Sequence, residues 1–291
     1  MKGRWHVFIV MTLVPAFIVV GFAQWDVQTL EMEGRVGEFT SIQIDSQGHL
    51  HITYYDESRG ALKHAWREGS GWQTEVVDEG DVGWFTSLAV DSQSNLYVAY
   101  YDYGHGDLKY AWWDGSGWYT EVIDAEGDVG LFASLQLDSL GRPHVVYYDN
   151  THFDLKHAWK EGGMWRVEVV DSAGDVGMWC SLAIGPGDVL HVSYYDFDNG
   201  DLLYARKAAD GWQIQTVEAE GTVGDWGTSI DVDSSGNPHI AYFDGTNWVL
   251  KHAWLDGGTW QTEVVDDTWG VGRFPALQVA VSYTHLRAHE T

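Results

Sequence analysis

The chain has 291 residues and carries 43 acidic against 16 basic side chains, a formal net charge of −27. So negative a surface repels nucleic acid and anionic membranes, which argues against both as partners, and it suits cations, neutral ligands or life in high salt. The alternative is that the charge serves solubility alone. The single cysteine, Cys180, excludes an internal disulfide, so packing must stabilise the fold, and the 45% hydrophobic composition with 17 tryptophans permits this.

The first 23 residues have the pattern of a secretory signal peptide. Lys2 and Arg4 precede an apolar run over residues 7–20, and the small residues Gly21 and Ala23 fit cleavage after Ala23. The alternative is a retained membrane anchor, but the run is short of the ~20 apolar residues that span a bilayer. We therefore predict a secreted protein, extracellular or at the cell surface, without membrane insertion after cleavage.

From residue 35 onwards the sequence repeats with a period of about 47 residues. The tripeptide Tyr-Tyr-Asp, once Tyr-Phe-Asp, recurs at spacings of 46 to 48 residues, and a Val-Gly pair keeps step with it. The glycines of the pair are Gly37, Gly83, Gly130, Gly177, Gly224 and Gly272. Five whole units therefore run from residue 35 to residue 267, and a sixth begins.

Each unit has the pattern of four short strands, named a to d here. In the second unit they are residues 85–91, 96–102, 107–114 and 118–125, rich in β-branched and aromatic residues and bounded by Gly, Asn and Ser. No segment shows the 3.6-residue period of a helix. Four antiparallel strands in every 40–50 residues are typical of a β-propeller blade.

The two ends predict how the ring closes. Residues 25–33 resemble strand d of the other units, and residues 271–279 resemble strand a. We therefore predict an all-β, six-bladed β-propeller over residues 24–279, closed by an N-terminal strand that shares a blade with the C-terminal partial repeat. The repeat stops abruptly after Val279, so residues 280–291 are predicted to be a non-native tail. The alternatives are a native tail with an irregular strand, or a longer protein with more blades.

Several recurring polar residues are interpreted as scaffold. Histidines begin strand b and lie within strand c, but tyrosine replaces them in some units, which favours a buried hydrogen bond over a metal ligand. They are His51, His144, His191 and His239 in strand b, and His64, His157 and His252 in strand c. A lysine of strand c is predicted to pair with the Asp that ends strand b of its own unit. These lysines are Lys63, Lys109, Lys156 and Lys251, with Leu203 in the fourth unit.

One face of the propeller is predicted to bind a ligand. In an up-and-down blade the d–a and b–c loops emerge on the same side, and the b–c loops vary most between units. Aromatic rings beside carboxylates fit sugar recognition, and several hard oxygens also fit calcium. The candidate ligand-binding residues are Trp84, Tyr103, His105, His152, Phe153, Phe197, Trp226, Trp248, Arg35, Arg59 and Arg273. The candidate calcium ligands are Asp81, Asp128 and Asp175. The alternative is a solvated acidic rim.

No catalytic motif stands out. A nucleophile elbow, a His-Glu-x-x-His zinc motif and a P-loop are all absent from the sequence. A pair of carboxylates at glycosidase spacing is uninformative among 43 acidic residues. Cys180 occupies a position taken by Thr or Ala in other units, which indicates a small buried residue and not a nucleophile.

The repeat unit LxVDSxGxPHIxYYDxxxGDLKxAWxDGSGW resembles exported prokaryotic propellers of the sialidase-like superfamily, and also the fungal fucose-specific lectins. The first resemblance implies three arginines that hold the substrate carboxylate, a Tyr–Glu nucleophile pair and a catalytic Asp; Arg35, Arg59 and Arg273 are the arginines available on the loop-rich face. The second implies an Arg and a Glu in each inter-blade pocket, but no Arg recurs in register here. Neither family's site is therefore transferred to this chain.

Together these patterns predict a monomeric, non-catalytic binding propeller that recognises a glycan or a cell-surface ligand, with no cofactor unless calcium. One alternative is a sialidase-like glycoside hydrolase. The other is a protein-interaction module of a larger surface protein, with an extracellular protein as its partner.

Overall fold

The computed structural model describes residues 27–69 and 71–279. The predicted signal peptide and the tail 280–291 lie outside the described residues. Within them there are twenty strands and no helix, and so no helix that could cross a bilayer.

The strands form five sheets of four, and each sheet contains consecutive strands in the order a, b, c, d. Every neighbouring pair is antiparallel. The first three sheets are β1 (Val36–Ile44), β2 (Leu50–Asp56), β3 (Ala61–Glu68), β4 (Gly71–Glu79); β5 (Val82–Val90), β6 (Leu96–Asp102), β7 (Asp107–Trp113), β8 (Trp118–Asp124); and β9 (Val129–Leu137), β10 (Pro143–Asp149), β11 (Asp154–Glu161), β12 (Met164–Asp171). The last two are β13 (Val176–Gly185), β14 (Val189–Asp196), β15 (Asp201–Ala208), β16 (Gly211–Glu218); and β17 (Val223–Val232), β18 (Pro238–Asp244), β19 (Val249–Asp256), β20 (Thr259–Asp266). The predicted four-stranded repeat is thus confirmed, and the sheets are called blades 1 to 5.

The blades pack side by side in chain order, and strand a of each blade lies against strand a of the next. Strands b and c are covered on both faces, so they are buried along most of their length, whereas strand d is largely exposed. The paired tyrosines of strand b therefore form the core between blades, and Tyr147 and Tyr148 are both fully buried.

The glycine of each Val-Gly pair allows this close approach of blades. Gly130 has φ +109°, and a Cβ there would lie 2.8 Å from the Cα of Leu108 in the preceding blade. Gly83 meets Leu62 in the same way, also at 2.8 Å. Both the backbone angle and the space exclude a side chain, which explains why the pair keeps step with the repeat.

The recurring lysines of strand c form hydrogen bonds outside their own blade: Lys63 with Glu31 of the N-terminal segment, and the other three with the preceding blade. Lys156 Nζ donates to Asp124 Oδ2 of the preceding blade at 2.6 Å, and Tyr147 donates to the same oxygen at 2.7 Å. The predicted partner in its own blade, Asp149, lies 3.4 Å from Nζ. The predicted pair is therefore real, but the shorter contact joins two blades and so links neighbouring repeats.

The recurring histidines form buried stacks, as the exchange with tyrosine predicted. His144 Nδ1 lies 3.0 Å from His157 Nε2, and His157 Nδ1 lies 3.0 Å from Glu168. Equivalent stacks join His51 to His64 and His239 to His252, and Tyr204 replaces the second histidine beside His191.

The prediction of six blades with ring closure is wrong: the structure has five blades and no closure. The described parts of the two ends, residues 27–33 and 271–279, are not strands and belong to none of the five sheets. The physical reason lies in the strand order. Strands a and d are separated in a blade by b and c, so two end segments that supply only a and d have no ladder to share.

Candidate functional site

The d–a and b–c loops lie on one side of the blades and form a continuous hydrogen-bonded face, called the loop face. Within blade 3, Asn150 N donates to Asp128 O at 2.8 Å, which ties the b–c loop to the d–a loop. Val129 N donates to Gly106 O at 2.9 Å, which ties the same d–a loop to the preceding blade. The predicted common side of these loops is therefore correct.

Each b–c loop is organised by the buried Asp that ends strand b. Asp149 Oδ1 accepts hydrogen bonds from Thr151 N at 2.9 Å and His152 N at 3.0 Å, and Oδ2 lies 3.0 Å from His152 Nδ1. The hydrogen bond and charge of Asp149 raise the pKa of His152 above its ordinary value. His105 folds back on Asp102 in the same way, so each ring is oriented by its carboxylate while its other edge remains exposed.

An aromatic belt lines the central cavity and was not among the features predicted from the sequence. Its members are Phe39, Phe85, Phe132, Trp179 and Phe274, each at the start of a strand a or its C-terminal equivalent. Successive rings from Phe39 to Trp179 have centroids 4.2 to 4.6 Å apart, and Trp179 lies 5.5 Å from Phe274. The sequence contains a pattern that indicates the belt: an aromatic residue follows the glycine of each Val-Gly pair after one or two positions.

The backbone of the aromatic belt is strained. All five residues have positive φ, between +51° and +56°. This left-handed region is unfavourable for bulky side chains and costs about 1–3 kcal/mol per residue. The same left-handed φ recurs at the equivalent position of each of these repeats, and all five residues line the cavity, which has a volume of about 860 Å³.

Two stacked aromatic pairs extend the belt across the loop face. Trp84 stacks on Tyr103 at 4.6 Å and on Phe39 of the belt at 5.2 Å. At the far end, Trp248 stacks on Trp269 at 5.0 Å. Tyr103 is 55% exposed and Trp269 is 75% exposed, so both pairs present ring surface to solvent.

The second pair is joined to the belt through Arg273. Its guanidinium lies 4.6 Å from the Trp248 ring and 5.0 Å from the Trp226 ring, a cation–π arrangement. Trp226 in turn lies 6.1 Å from both Trp179 and Phe274 of the belt. The structure thus brings together three of the predicted residues, Trp226, Trp248 and Arg273.

The three candidate arginines contact different kinds of partner. Arg35 pairs with Glu57 and Glu38, and Arg59 lies 3.9 Å from Asp56, so both hold carboxylates of blade 1. Arg273 holds aromatic rings of blade 5 instead. Their described partners are thus carboxylates for Arg35 and Arg59 and aromatic rings for Arg273.

The three candidate calcium ligands lie in separate blades. Asp128 accepts from Tyr101 at 2.6 Å and from Asn150 at 2.7 Å, and Asp175 accepts from Tyr148 at 2.7 Å. Asp81 accepts from Tyr55, and burial with this hydrogen bond raises the pKa of Tyr55 to about 12. Among the described residues no three His, Cys, Asp or Glu side chains are grouped to hold a metal ion. A calcium site therefore stays a prediction.

The remaining candidates occupy b–c loops with exposed rings. Phe197 is 58% exposed and lies edge-on to Tyr195 at 6.4 Å. Phe153 is 48% exposed and has φ +64°, at a position where blades 2 and 4 have Gly106 and Gly200. Trp248 has φ +62° at the same place in blade 5. Cys180 is buried with its Sγ 3.2 Å from Phe132 O, as predicted for a packing residue.

Replacing Phe153 with glycine is expected to stabilise the fold. Glycine removes left-handed strain that outweighs the added freedom of the unfolded chain, for a net gain of about 1 kcal/mol and a rise in Tm of roughly 2–4 °C. Thermal unfolding followed by circular dichroism measures this. The matched control is Phe197→Gly, whose position lacks positive φ and should gain nothing; an equal or lower Tm for Phe153→Gly contradicts the expectation.

Solved structures of other proteins share this blade arrangement at low sequence identity. A protein of unknown function from Dyadobacter fermentans superposes with a TM-score of 0.58 at 11% identity, covering 79% of this chain and 83% of that chain. The Aleuria aurantia lectin in complex with Fucα1-6GlcNAc gives a TM-score of 0.55 at 17% identity, covering 81% and 82%. The Hadza microbial sialidase Hz136 gives 0.53 at 14% identity, covering 79% of this chain and 58% of the sialidase.

These likenesses establish the β-propeller fold and confirm the resemblance to lectin and sialidase propellers at the level of the fold. No protein-family profile matches the sequence, and no curated protein is similar to it.

Proposed function

We propose that this protein is a non-catalytic propeller that binds a neutral glycan across the loop face. The observation that carries the proposal is the aromatic belt with its two flanking stacked pairs. Tyr103, Trp84 and the belt form one chain of ring contacts, and Trp226, Arg273, Trp248 and Trp269 continue it. Aromatic faces that are held rigid and exposed offer the apolar faces of sugar rings a surface to stack on, with little entropy lost on binding.

The polar groups beside the rings fit the hydroxyls of a sugar. His105 and His152 are each oriented by a buried Asp, and Asp128 and Asp175 line the d–a loops. Side-chain carboxylates and oriented imidazoles are suitable hydrogen-bond partners for hydroxyl groups. A solved relative of this fold, the Aleuria aurantia lectin, has a fucosylated disaccharide bound.

The charge selects the class of glycan. With a formal net charge of −27, the protein repels sialylated or sulfated chains. Among the described residues, Arg273 is the cation that packs on Trp226 and Trp248 beside the aromatic belt. Arg35 and Arg59 are engaged by carboxylates and Arg273 by aromatic rings, so their contacts add no support to the sialidase-like alternative. We further propose that the protein acts outside the cell, as the predicted signal peptide implies.

Binding to a microarray of neutral and sialylated glycans tests the proposal. We expect binding to neutral oligosaccharides, weakened roughly tenfold or more by Tyr103→Ala and by Trp269→Ala, since truncating an aromatic anchor removes most of its contact. The matched control is Tyr119→Ala, because Tyr119 is 45% exposed on strand β8 and stacks on Trp112 away from the loop face.

Three results contradict the proposal. Preference for sialylated glycans would contradict the inference from charge. Binding that survives both substitutions would place the ligand elsewhere. Release of fluorophore from a fluorogenic sialoside by the wild-type protein would show catalysis and favour the hydrolase.

A further inference from the structure

Four of the five blades hold a lysine ammonium between two carboxylates. One carboxylate comes from the segment before the blade, and the other ends strand b of the blade itself. In blade 3, Lys156 Nζ lies 2.6 Å from Asp124 Oδ2 and 3.4 Å from Asp149 Oδ2. The equivalent lysines make the same two contacts, the longer at 3.8 or 3.9 Å, and they are Lys63, Lys109 and Lys251. The structure therefore places a positive charge at the same point in blades 1, 2, 3 and 5.

Blade 4 keeps both carboxylates but has no lysine between them. Asp171 ends strand β12 of the preceding blade, and Asp196 ends strand β14. Asp171 accepts a hydrogen bond from Tyr194 at 2.7 Å, the same contact that its counterpart makes in blade 3. The cross-strand neighbour of Tyr194 is Leu203, where the other blades have their lysine. A leucine side chain ends two atoms short of a lysine amine and carries no charge, so it cannot balance the two carboxylates.

Both carboxylates of blade 4 are buried, and their described partners are neutral. Asp171 is 9% exposed and Asp196 is 5% exposed. Asp171 accepts from Tyr194 and from the backbone of Ala173, and Asp196 accepts from the backbone and side chain of Asn199. Among the residues that the structure describes, no lysine, arginine or histidine forms an ion pair with either one. Burying a charge is costly unless an opposite charge lies beside it, so these two carboxylates call for a cation.

The two carboxylates of blade 4 lie beside the same phenol, as they do in blade 3. Burial and the charges of Asp171 and Asp196 raise the pKa of Tyr194, and the counterparts of these two carboxylates act on Tyr147 in the same way. In blade 3 the lysine Nζ lies 5.7 Å from the centre of the Tyr147 ring. The corresponding point beside Tyr194 is therefore flanked by the same groups that surround an ammonium in the other blades.

We propose that the boundary of blades 3 and 4 binds a monovalent metal cation, sodium or potassium, between Asp171 and Asp196 at the place of the missing ammonium. A single positive charge gives this boundary the same charge balance as the other four. Calcium is disfavoured because it takes about six to eight oxygen ligands, and no three His, Cys, Asp or Glu side chains are grouped within the described residues. The two carboxylates, the Tyr194 hydroxyl and water supply the oxygen ligands. The site is separate from the aromatic belt and independent of the glycan proposal.

Thermal unfolding at constant ionic strength tests the proposal. Tetramethylammonium chloride is the reference salt, since its cation is too bulky to replace an ammonium at a buried point, and sodium chloride or potassium chloride replaces it stepwise. We expect the Tm of the wild-type protein to rise saturably, by roughly 3–6 °C once the cation exceeds its dissociation constant about tenfold. The salt that gives the larger rise identifies the occupant. Constant ionic strength keeps the screening of the surface charges equal in all the salts.

The variant Leu203→Lys supplies the ammonium that the other blades have, so its Tm should be the same in all three salts. Asp171→Asn should also lose the response, because it removes one of the two charges, whereas Asp210→Asn, at an exposed turn, should keep it. A wild-type Tm that is equal in all three salts overturns the proposal, and so does a full response in Leu203→Lys. A larger rise with calcium chloride that Leu203→Lys abolishes also overturns it, because the occupant would then be divalent.

Discussion

Lys156→Leu is expected to lower the free energy of unfolding by about 3 kcal/mol, because it leaves a buried carboxylate without its cation. The side chains of Lys156 and Asp124 are 10% and 9% exposed, and they join blade 3 to blade 2. Leucine fits at this position, since Leu203 occupies it in blade 4. Urea unfolding at pH 7 measures the change, read as a shift in midpoint at constant m.

Two variants separate the charge effect from packing. In the Lys156→Leu background, Asp124→Asn should recover most of the loss, because the unpaired charge is then gone and Tyr147 can still donate. Arg35→Leu breaks a pair whose arginine is 71% exposed, and it should cost less than about 1 kcal/mol. A loss for Lys156→Leu no larger than that for Arg35→Leu would show that the inter-blade pair contributes little.

Acidification from pH 6.5 to pH 4 is expected to destabilise the protein steeply. Burial lowers the pKa of His144 to about 4, and the charge of His157 is a second cause. Burial also lowers the pKa of His191 to about 4. In the unfolded chain both titrate near 6.5. The unfolded state therefore takes up protons first, so the stability from these neutral histidines is complete above pH 6.5 and is lost by pH 4. Each histidine contributes up to about 3 kcal/mol to the loss.

Blade 2 supplies the matched control for this pH dependence. There Tyr97 and Tyr110 occupy the places of His144 and His157, and neither titrates below pH 7. The double variant His144→Tyr, His157→Tyr should fold and should lose less stability between pH 7 and pH 4.5, by up to about 2 kcal/mol in urea unfolding. An unchanged pH profile would mean that groups other than His144 and His157 dominate the loss of stability between pH 7 and pH 4.5.

The carboxylate Glu168 contributes to the pH dependence of stability at a lower pH than the histidines do. Burial alone raises the pKa of Glu168, but hydrogen bonds from His157, Lys207 and Trp212 outweigh it and hold the pKa at about 2. Its stabilising contribution is therefore present above the unfolded value near 4.3 and is lost as the pH falls through 2. The histidine and carboxylate ranges are thus separate in a pH titration of stability.

The sequence by itself determined the repeat, the four-stranded blade and the common side of the d–a and b–c loops. These follow from periodicity, because the same spacing of Val-Gly and Tyr-Tyr-Asp imposes the same local pairing in every unit. It also identified His144 and His157 as hydrogen-bonded scaffold, since tyrosine takes their place in blade 2. Of the candidate site residues, Trp84 and Tyr103 stack on each other, and their role in ligand binding stays a prediction.

Only the tertiary structure decided which partner each recurring group meets. Asp149 and Asp154 are much nearer to Lys156 in sequence than Asp124 is, but packing of blade 3 on blade 2 selects Asp124 as its closest partner. The aromatic belt likewise depends on backbone angles at Phe85 and its equivalents, which a local strand pattern does not encode. The prediction of ring closure failed for a related reason. Residues 27–33 and 271–279 each match a strand pattern locally, but a strand forms only when a neighbouring strand pairs with it. In the order a, b, c, d of each sheet, strands b and c lie between a and d, so the two end segments cannot pair with each other.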